Sequence, residues 1–242
     1  MKKITVIVPL HEYNEEVKKY LATAIDSVNT ELHDIMFVGP KYVITEASKE
    51  FDSKHVTLIE NTGSTDFFTQ INKAAFNCLT PYFSILEFDD MYLPNWDKVY
   101  EEEDLKNHSI IIPFNEYFKD GYFASFGNEL AWDVAFLEEG APLGVITQHE
   151  LKIYNDFNIT GGIIKTEDFI SLGGFKPEYK TLAWFEFLMR AVRKDKTFYV
   201  IPRVCYRHTM LRAGSYMTKG ESEMSQEEYI EKVKSIVGTE EK

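Results

Sequence analysis

Short apolar runs rich in β-branched residues recur along the first part of the chain, and an amphipathic stretch separates each from the next. Ile4-Thr5-Val6-Ile7-Val8 stops at Pro9 and reads as a buried strand. In the following "NEEVKKYLATAIDSVNT", Asn14 can cap a helix and Glu15 and Glu16 suit its positive end. Val17, Leu21, Ala24, Ile25 and Val28 then fall on one face. Asp34 to Val38 reads as a second strand ended by Gly39-Pro40, Ile44 to Phe51 as a helix, and Val56 to Ile59 as a third strand. After the turn-rich "ENTGSTD", Phe67 to Leu79 has helical spacing and Tyr82 to Phe88 is a further strand. Strand and helix alternate, which predicts an open α/β sheet of mostly parallel strands.

Beyond Pro94 the pattern loosens. Asp97 to Leu105 predicts a helix whose acidic run, Glu101 to Asp104, faces solvent; Ser109 to Pro113 predicts a strand, and Lys119-Asp120-Gly121 can turn a hairpin. Glu167 to Leu172 reads as a short helix stopped by Gly173-Gly174. "TLAWFEFLMRAVRKD" reads as a strong helix, Thr197 to Ile201 as a strand before Pro202, and Ser225 to Val237 as an amphipathic helix. No internal repeat or low-complexity tract is present.

Composition narrows the possible functions. The chain has 242 residues, 44% hydrophobic and 14% aromatic, enough for one large domain with a normal core. A net charge of -13 argues against broad binding to nucleic-acid phosphates or anionic lipid. Binding an anionic substrate would then need local positive charge, which a metal ion can supply. Cys78 and Cys205, both in apolar surroundings, read as reduced core thiols. The opening "MKKITVIVP" is too short a run for a signal peptide and no window reaches membrane-span length, so a cytoplasmic protein without a transmembrane segment is expected.

Ligands of open α/β sheets bind beyond the carboxyl ends of the strands. Three segments meet that edge: "PLHEYN" after the first strand, "ENTGSTD" after the third and "EFDD" after the fourth. Carboxylates there can hold a divalent ion through oxygen, and the ion an anion. The ordered set "ITVIVPL…NEE…AIDSV", "NTGSTD…INKA", "PYFSILEFDDMYLPNW", "GGFKPEY", "FEFLMRA" and "CYRHTMLRAGS" resembles the family 2 glycosyltransferases of the GT-A fold, across roughly residues 3 to 215. The resemblance implies a Rossmann-like, mostly parallel central sheet flanked by helices as a domain of residues 1–215, with residues 216–242 as a C-terminal helical extension. It also implies transfer of a sugar from a nucleotide-diphosphate sugar donor to a glycan or other hydroxyl acceptor, dependent on Mn2+ or Mg2+ and inverting.

Carried over residue by residue, the resemblance implies that Glu87 takes the first acidic position of the Asp-x-Asp pattern, Phe88 the middle, and Asp89 the second, the main metal ligand. Pro9, Leu10, His11 and Glu12 lie where relatives cradle the nucleobase; Asn61 and Gly63 belong to the nucleotide loop and Asn72 to the helix after it. His208 matches a late residue completing the metal or pyrophosphate site, while Trp184, Glu186 and Arg190 lie on the acceptor side. Trp132, Tyr154 and Trp184 could stack on an acceptor sugar or pack internally, and Arg207 and Arg212 could meet a pyrophosphate.

Some positions depart from the family pattern. Glu replaces the first Asp at Glu87, and "FVGPKY" lacks the carboxylates that relatives place after the second strand. Aligned on Arg190, the catalytic-base Asp of relatives becomes Trp184, which cannot take a proton from an acceptor hydroxyl. Glu186, Asp168 or Glu178 could serve instead, or the chain could be an inactive nucleotide-sugar or glycan binder.

Overall fold

The computed structural model describes residues 4–51, 54–63, 66–102, 105–130, 143–210 and 224–238. Its centre is one mixed sheet of ten strands: β1 Ile4–Pro9, β2 His33–Gly39, β3 Val56–Glu60, β4 Tyr82–Ile85, β5 Met91–Tyr92, β6 Ile110–Lys119, β7 Tyr122–Gly127, β8 Val145–Ile146, β9 Ile163–Lys165 and β10 Phe198–Thr209. The order is β3-β2-β1-β4-β9-β6-β10-β5, with β7 on β6 and β8 on β10. β1 pairs in parallel with β2 and β4, β2 with β3, and β6 with β10. β9 runs antiparallel between β4 and β6, so these six longer strands all point the same way.

The helices are α1 Glu15–Asp26, α2 Lys41–Ser48, α3 Phe67–Phe76, α4 Trp96–Glu102, α5 Gln148–Ile153, α6 Thr166–Ser171, α7 Ala183–Arg193 and α8 Gln226–Gly238. They cover both faces. Residues of α3, α5, α6, α7 and α8 join one apolar cluster and those of α1, α2 and α4 the other. Burial on both sides explains why β1, apolar except for Thr5, is buried throughout instead of alternating. The alternating strand-and-helix reading therefore holds for the first half. Among the described residues no helix is long and apolar enough to cross a membrane.

Local chemistry accounts for several element ends. Asn14 Oδ1 accepts from the backbone nitrogens of Glu16 and Val17, each at 3.0 Å, and α1 buries Val17, Leu21, Ala24 and Ile25. The β6–β7 hairpin turns through Asp120 (φ 52) and Gly121 (φ 82), the paired positive φ of a twist-matched two-residue turn.

Two differences from the sequence reading shape the site. The fourth strand stops at Ile85 rather than Phe88, because "EFDD" turns back on itself, Asp90 N donating to Glu87 O at 3.1 Å. The last strand does not stop before Pro202; it absorbs the proline in a register shift between Ile201 and Val204 and runs on to Thr209. That extension carries His208 to the ligand edge. The boundary expected between residues 215 and 216 lies outside the described residues. α8 itself inserts Ile236 into the main core, and Arg193 caps its C-terminal carbonyls at Ile236 (2.8 Å) and Val237 (2.9 Å).

Candidate functional site

The turn after β4 and the end of β10 meet at the carboxyl edge of the sheet. Leu86 and Phe88 point into the core, leaving Glu87 and Asp89 half-buried. Asp90 continues this alternation with a charged side chain: its carboxylate is buried, and burial of a charge demands partners. It has three. Oδ2 accepts from the Tyr206 hydroxyl at 2.8 Å and from His208 Nδ1 at 2.9 Å, and Oδ1 from Thr209 N at 2.8 Å. Thr209 Oγ1 donates to the Asp89 carbonyl at 2.6 Å, which ties the acidic turn to β10.

Glu87, Asp90 and His208 each offer a ligand atom within 4.8 Å of the others. Burial alone would lower the His208 imidazolium, but the Asp90 carboxylate, with Glu87 and Asp89 behind it, raises it to about 9. The His208 ring also lies edge-on to Tyr117, centroids 5.4 Å apart. Two carboxylates and an imidazole suit a divalent ion such as Mn2+, and an Nδ1 held by a carboxylate leaves Nε2 as the ring's other donor atom. The donor set therefore fits a metal.

The expected nucleotide segment lies beside this cluster. Leu10 is a core side chain whose N donates to Val38 O at 2.8 Å, which leaves its side chain no access to the edge; Pro9 ends β1. His11 and Glu12 are half-buried, 3.5 Å apart, and the His11 ring sits 5.8 Å from Phe88, joining "PLHE" to "EFDD". Where relatives carry acids after the second strand, Gly39 stands because a Cβ there would collide with the Leu10 carbonyl. Asn61 is buried, its N donating to Gly39 O at 2.8 Å, and Gly63 is exposed with open space around it. Ser64, Thr65, Trp132 and Arg212 lie outside the described residues.

Other expected site residues have structural work instead. Asn72 is committed to the backbone of Phe175: its amide nitrogen donates to Phe175 O at 2.8 Å and its oxygen accepts from Phe175 N at 2.7 Å. Both oxygens of Glu186 are held by Arg190, at 2.9 and 2.6 Å, and Lys176 approaches one at 3.0 Å. Both carboxylate oxygens are thus already engaged by cationic side chains. Arg190 also donates to the carbonyls of Leu172 and Gly174 (2.8 Å for the latter), so Asn72 and Arg190 together fasten the "GGF" turn. Trp184 packs edge-on against Phe67, Phe68 and Phe175 at centroid distances of 5.5, 4.8 and 5.0 Å. Asp168 pairs with Lys196, Glu178 is exposed, and Tyr154 packs on Phe157. Arg207 reaches away to Glu116 at 2.6 Å and lies over Phe118.

The sequence did not single out Tyr206, Thr209 and Tyr117, and it offered Asp90 as one of the acidic turn's metal-binding carboxylates rather than as the partner of His208. "CYRHT" alternates along β10, so Tyr206 and His208 share a face. That signal becomes visible once the strand is extended past Pro202.

No protein-family model and no curated protein sequence matches the chain. Solved structures do. Residues 1–349 of TarS from S. aureus, in complex with UDP-GlcNAc, superpose with a TM-score of 0.70 at 15% identity, over 97% of this chain and 65% of that one. The same TarS segment with UDP gives 0.65 at 14% identity, over 97% and 64%. A mannosyltransferase, PcManGT from Pyrobaculum calidifontis, in complex with GDP-Man and Mn2+, gives 0.60 at 15% identity, over 88% and 58%. The chain thus spans just under two thirds of the TarS segment. At this identity the likeness establishes the fold.

Proposed function

We propose that this chain, whose fold is the GT-A fold of nucleotide-sugar glycosyltransferases, binds a nucleotide-diphosphate sugar and transfers its sugar to a hydroxyl acceptor as a family 2 enzyme. The observation that carries the reading is the Glu87–Asp90–His208 cluster at the carboxyl edge of the sheet. It is supported by the UDP-GlcNAc, GDP-Man and Mn2+ of the similar structures.

In this proposal Glu87 and His208 Nε2 of the cluster, with Asp89 at the position that the resemblance marks as the main metal ligand, would hold the cation. Glu87 could instead meet the ribose. When bound, Mn2+ or Mg2+ would supply Lewis-acid neutralisation of the departing diphosphate. Asp90 orients the His208 ring through Nδ1, with Tyr206 and Thr209 fixing the Asp90 carboxylate. The backbone of Pro9 and Leu10, with His11, Glu12, Asn61 and Gly63, borders the nucleoside. The acceptor approaches over Trp184, and attack from the face opposite the leaving group inverts the anomeric centre. Glu186 can take the acceptor proton only after releasing Arg190 and Lys176.

Trp184 at the base position and the locked Glu186 favour a second reading, a nucleotide-sugar binder without transfer activity. One experiment separates the two. Donor turnover is measured for UDP- and GDP-sugars with and without Mn2+, alongside thermal shifts with the same ligands. The enzyme reading expects Mn2+-dependent turnover that Asp89→Ala abolishes, and a donor at a hundredfold its Kd adds about 2.7 kcal/mol of stability. A thermal shift without turnover selects the binder, and the absence of both overturns the nucleotide-sugar assignment.

A further inference from the structure

We propose that Asn115 holds a buried water molecule in a closed polar pocket beside the candidate site, and that this water braces Tyr117 against His208. Asn115 is completely buried on β6, and neither its amide nitrogen nor its amide oxygen has a hydrogen-bond partner. Leaving both ends of an amide dry is expensive, and native proteins nearly always satisfy such groups with protein or ordered water.

Strand register locates the missing partner. Asn115 stands opposite Tyr206 on β10 and Gly127 on β7, and residues paired in this way project from the same face. A Cβ on Gly127 would run into the Tyr117 hydroxyl, so this glycine leaves the room that the phenol occupies next to Asn115. Facing Cβ positions on paired strands lie about 5 Å apart, so one small molecule can span the amide and the phenol oxygen.

The surrounding polar groups are already committed. Asn128, itself buried, donates from Nδ2 to the Pro113 and Asn158 carbonyls, both at 2.8 Å, and accepts from Asn158 N at 2.9 Å. The Asn158 oxygen accepts from Thr160 N and Oγ1, and the Tyr117 hydroxyl bonds to the Asn158 side chain. What remains is the Asn115 amide, with two N–H donors and a carbonyl acceptor, plus a lone pair on Tyr117. A water can accept from Asn115 Nδ2, donate to Oδ1 and give its second hydrogen to the Tyr117 oxygen, the usual three bonds of a buried water. A cation would face the amide donors, and an anion would find no positive partner on this amide or phenol. Because Tyr117 contacts His208 on its other side, the water stiffens one wall of the candidate metal site.

The inference does not depend on glycosyl transfer, and its test does not use activity. A high-resolution crystal structure of the full chain should show one ordered water about 2.7–3.2 Å from both polar atoms of Asn115. Water oxygen-17 relaxation dispersion should count one fewer long-lived water in Asn115→Leu than in the wild type. Should that variant fail to fold, Tyr117→Phe keeps the amide but removes the third bond, and the water's residence time should shorten. An amide found turned onto protein partners, a dry pocket, or a Tyr117→Phe protein with wild-type dispersion would overturn the proposal.

Discussion

At the scale of single residues, Asp90 carries the strongest local consequence. It supplies the acceptor for a phenol, an imidazole and a backbone N–H at once. Asp90→Ala would strand all three in a mostly buried setting, so it should cost about 3 kcal/mol in urea denaturation, the cost of breaking a buried charged pair. Asp89→Ala keeps the carbonyl that Thr209 holds, so it should cost less stability than Asp90→Ala while abolishing the proposed metal-dependent binding. Cys205 gives a different test: burial pushes its thiol up to about 12. At pH 8 almost none is thiolate. An aromatic disulfide reagent should therefore leave Cys205 untouched in the native protein and titrate it on unfolding.

At the scale of elements, the turn after α6 shows how position decides a residue's cost. Gly173 and Gly174 both have positive φ, 81 and 73, but only Gly174 faces a neighbour: a Cβ there would lie 2.6 Å from Asn72 Oδ1. Gly173→Ala should lose about 1 kcal/mol of stability to backbone strain. Gly174→Ala should lose clearly more, because it also pushes Asn72 off the Phe175 backbone. Chemical denaturation of the two variants reads the difference directly. The same turn gives Asn72 and Arg190 a structural role at positions that match a functional pattern. They hold "GGF", and "GGF" holds Trp184, so their influence on a site is exerted through a wall of aromatic rings.

For the molecule as a whole, charge pairs that join distant segments make stability depend on pH. Burial pushes the Asp168 carboxyl up, but hydrogen bonds from Lys196 and Ser109 and the charges of Lys196 and Lys165 outweigh it and hold it below its usual value. A carboxyl with a depressed folded pKa contributes stability that is present above the unfolded value, about 3.9, and is lost as pH falls through the folded value. The stability difference between wild type and Asp168→Asn should thus be constant near neutrality and shrink toward zero in strong acid. Urea midpoints measured from pH 7 down to 2 check this. The pair links α6 to the turn after α7, so its loss loosens the packing of two helices on one face of the sheet.

Local patterning by itself determined the alternating α/β frame, the Asn14 cap, the Asp120-Gly121 hairpin and the acidic turn at the sheet edge. Each of these rests on neighbours within a few positions, where periodicity and backbone preference act directly. What only the tertiary structure decided lies between segments far apart in the chain. Asp90 meets Tyr206 and His208 from more than a hundred residues away, Glu186 is taken out of play by Arg190 and Lys176, and Asn72 is spent on Phe175. A carboxylate or amide has the same local signature whether it faces a ligand or a partner. The choice is made by what folding brings within hydrogen-bond reach, because a buried polar group takes the nearest partner that meets its demand.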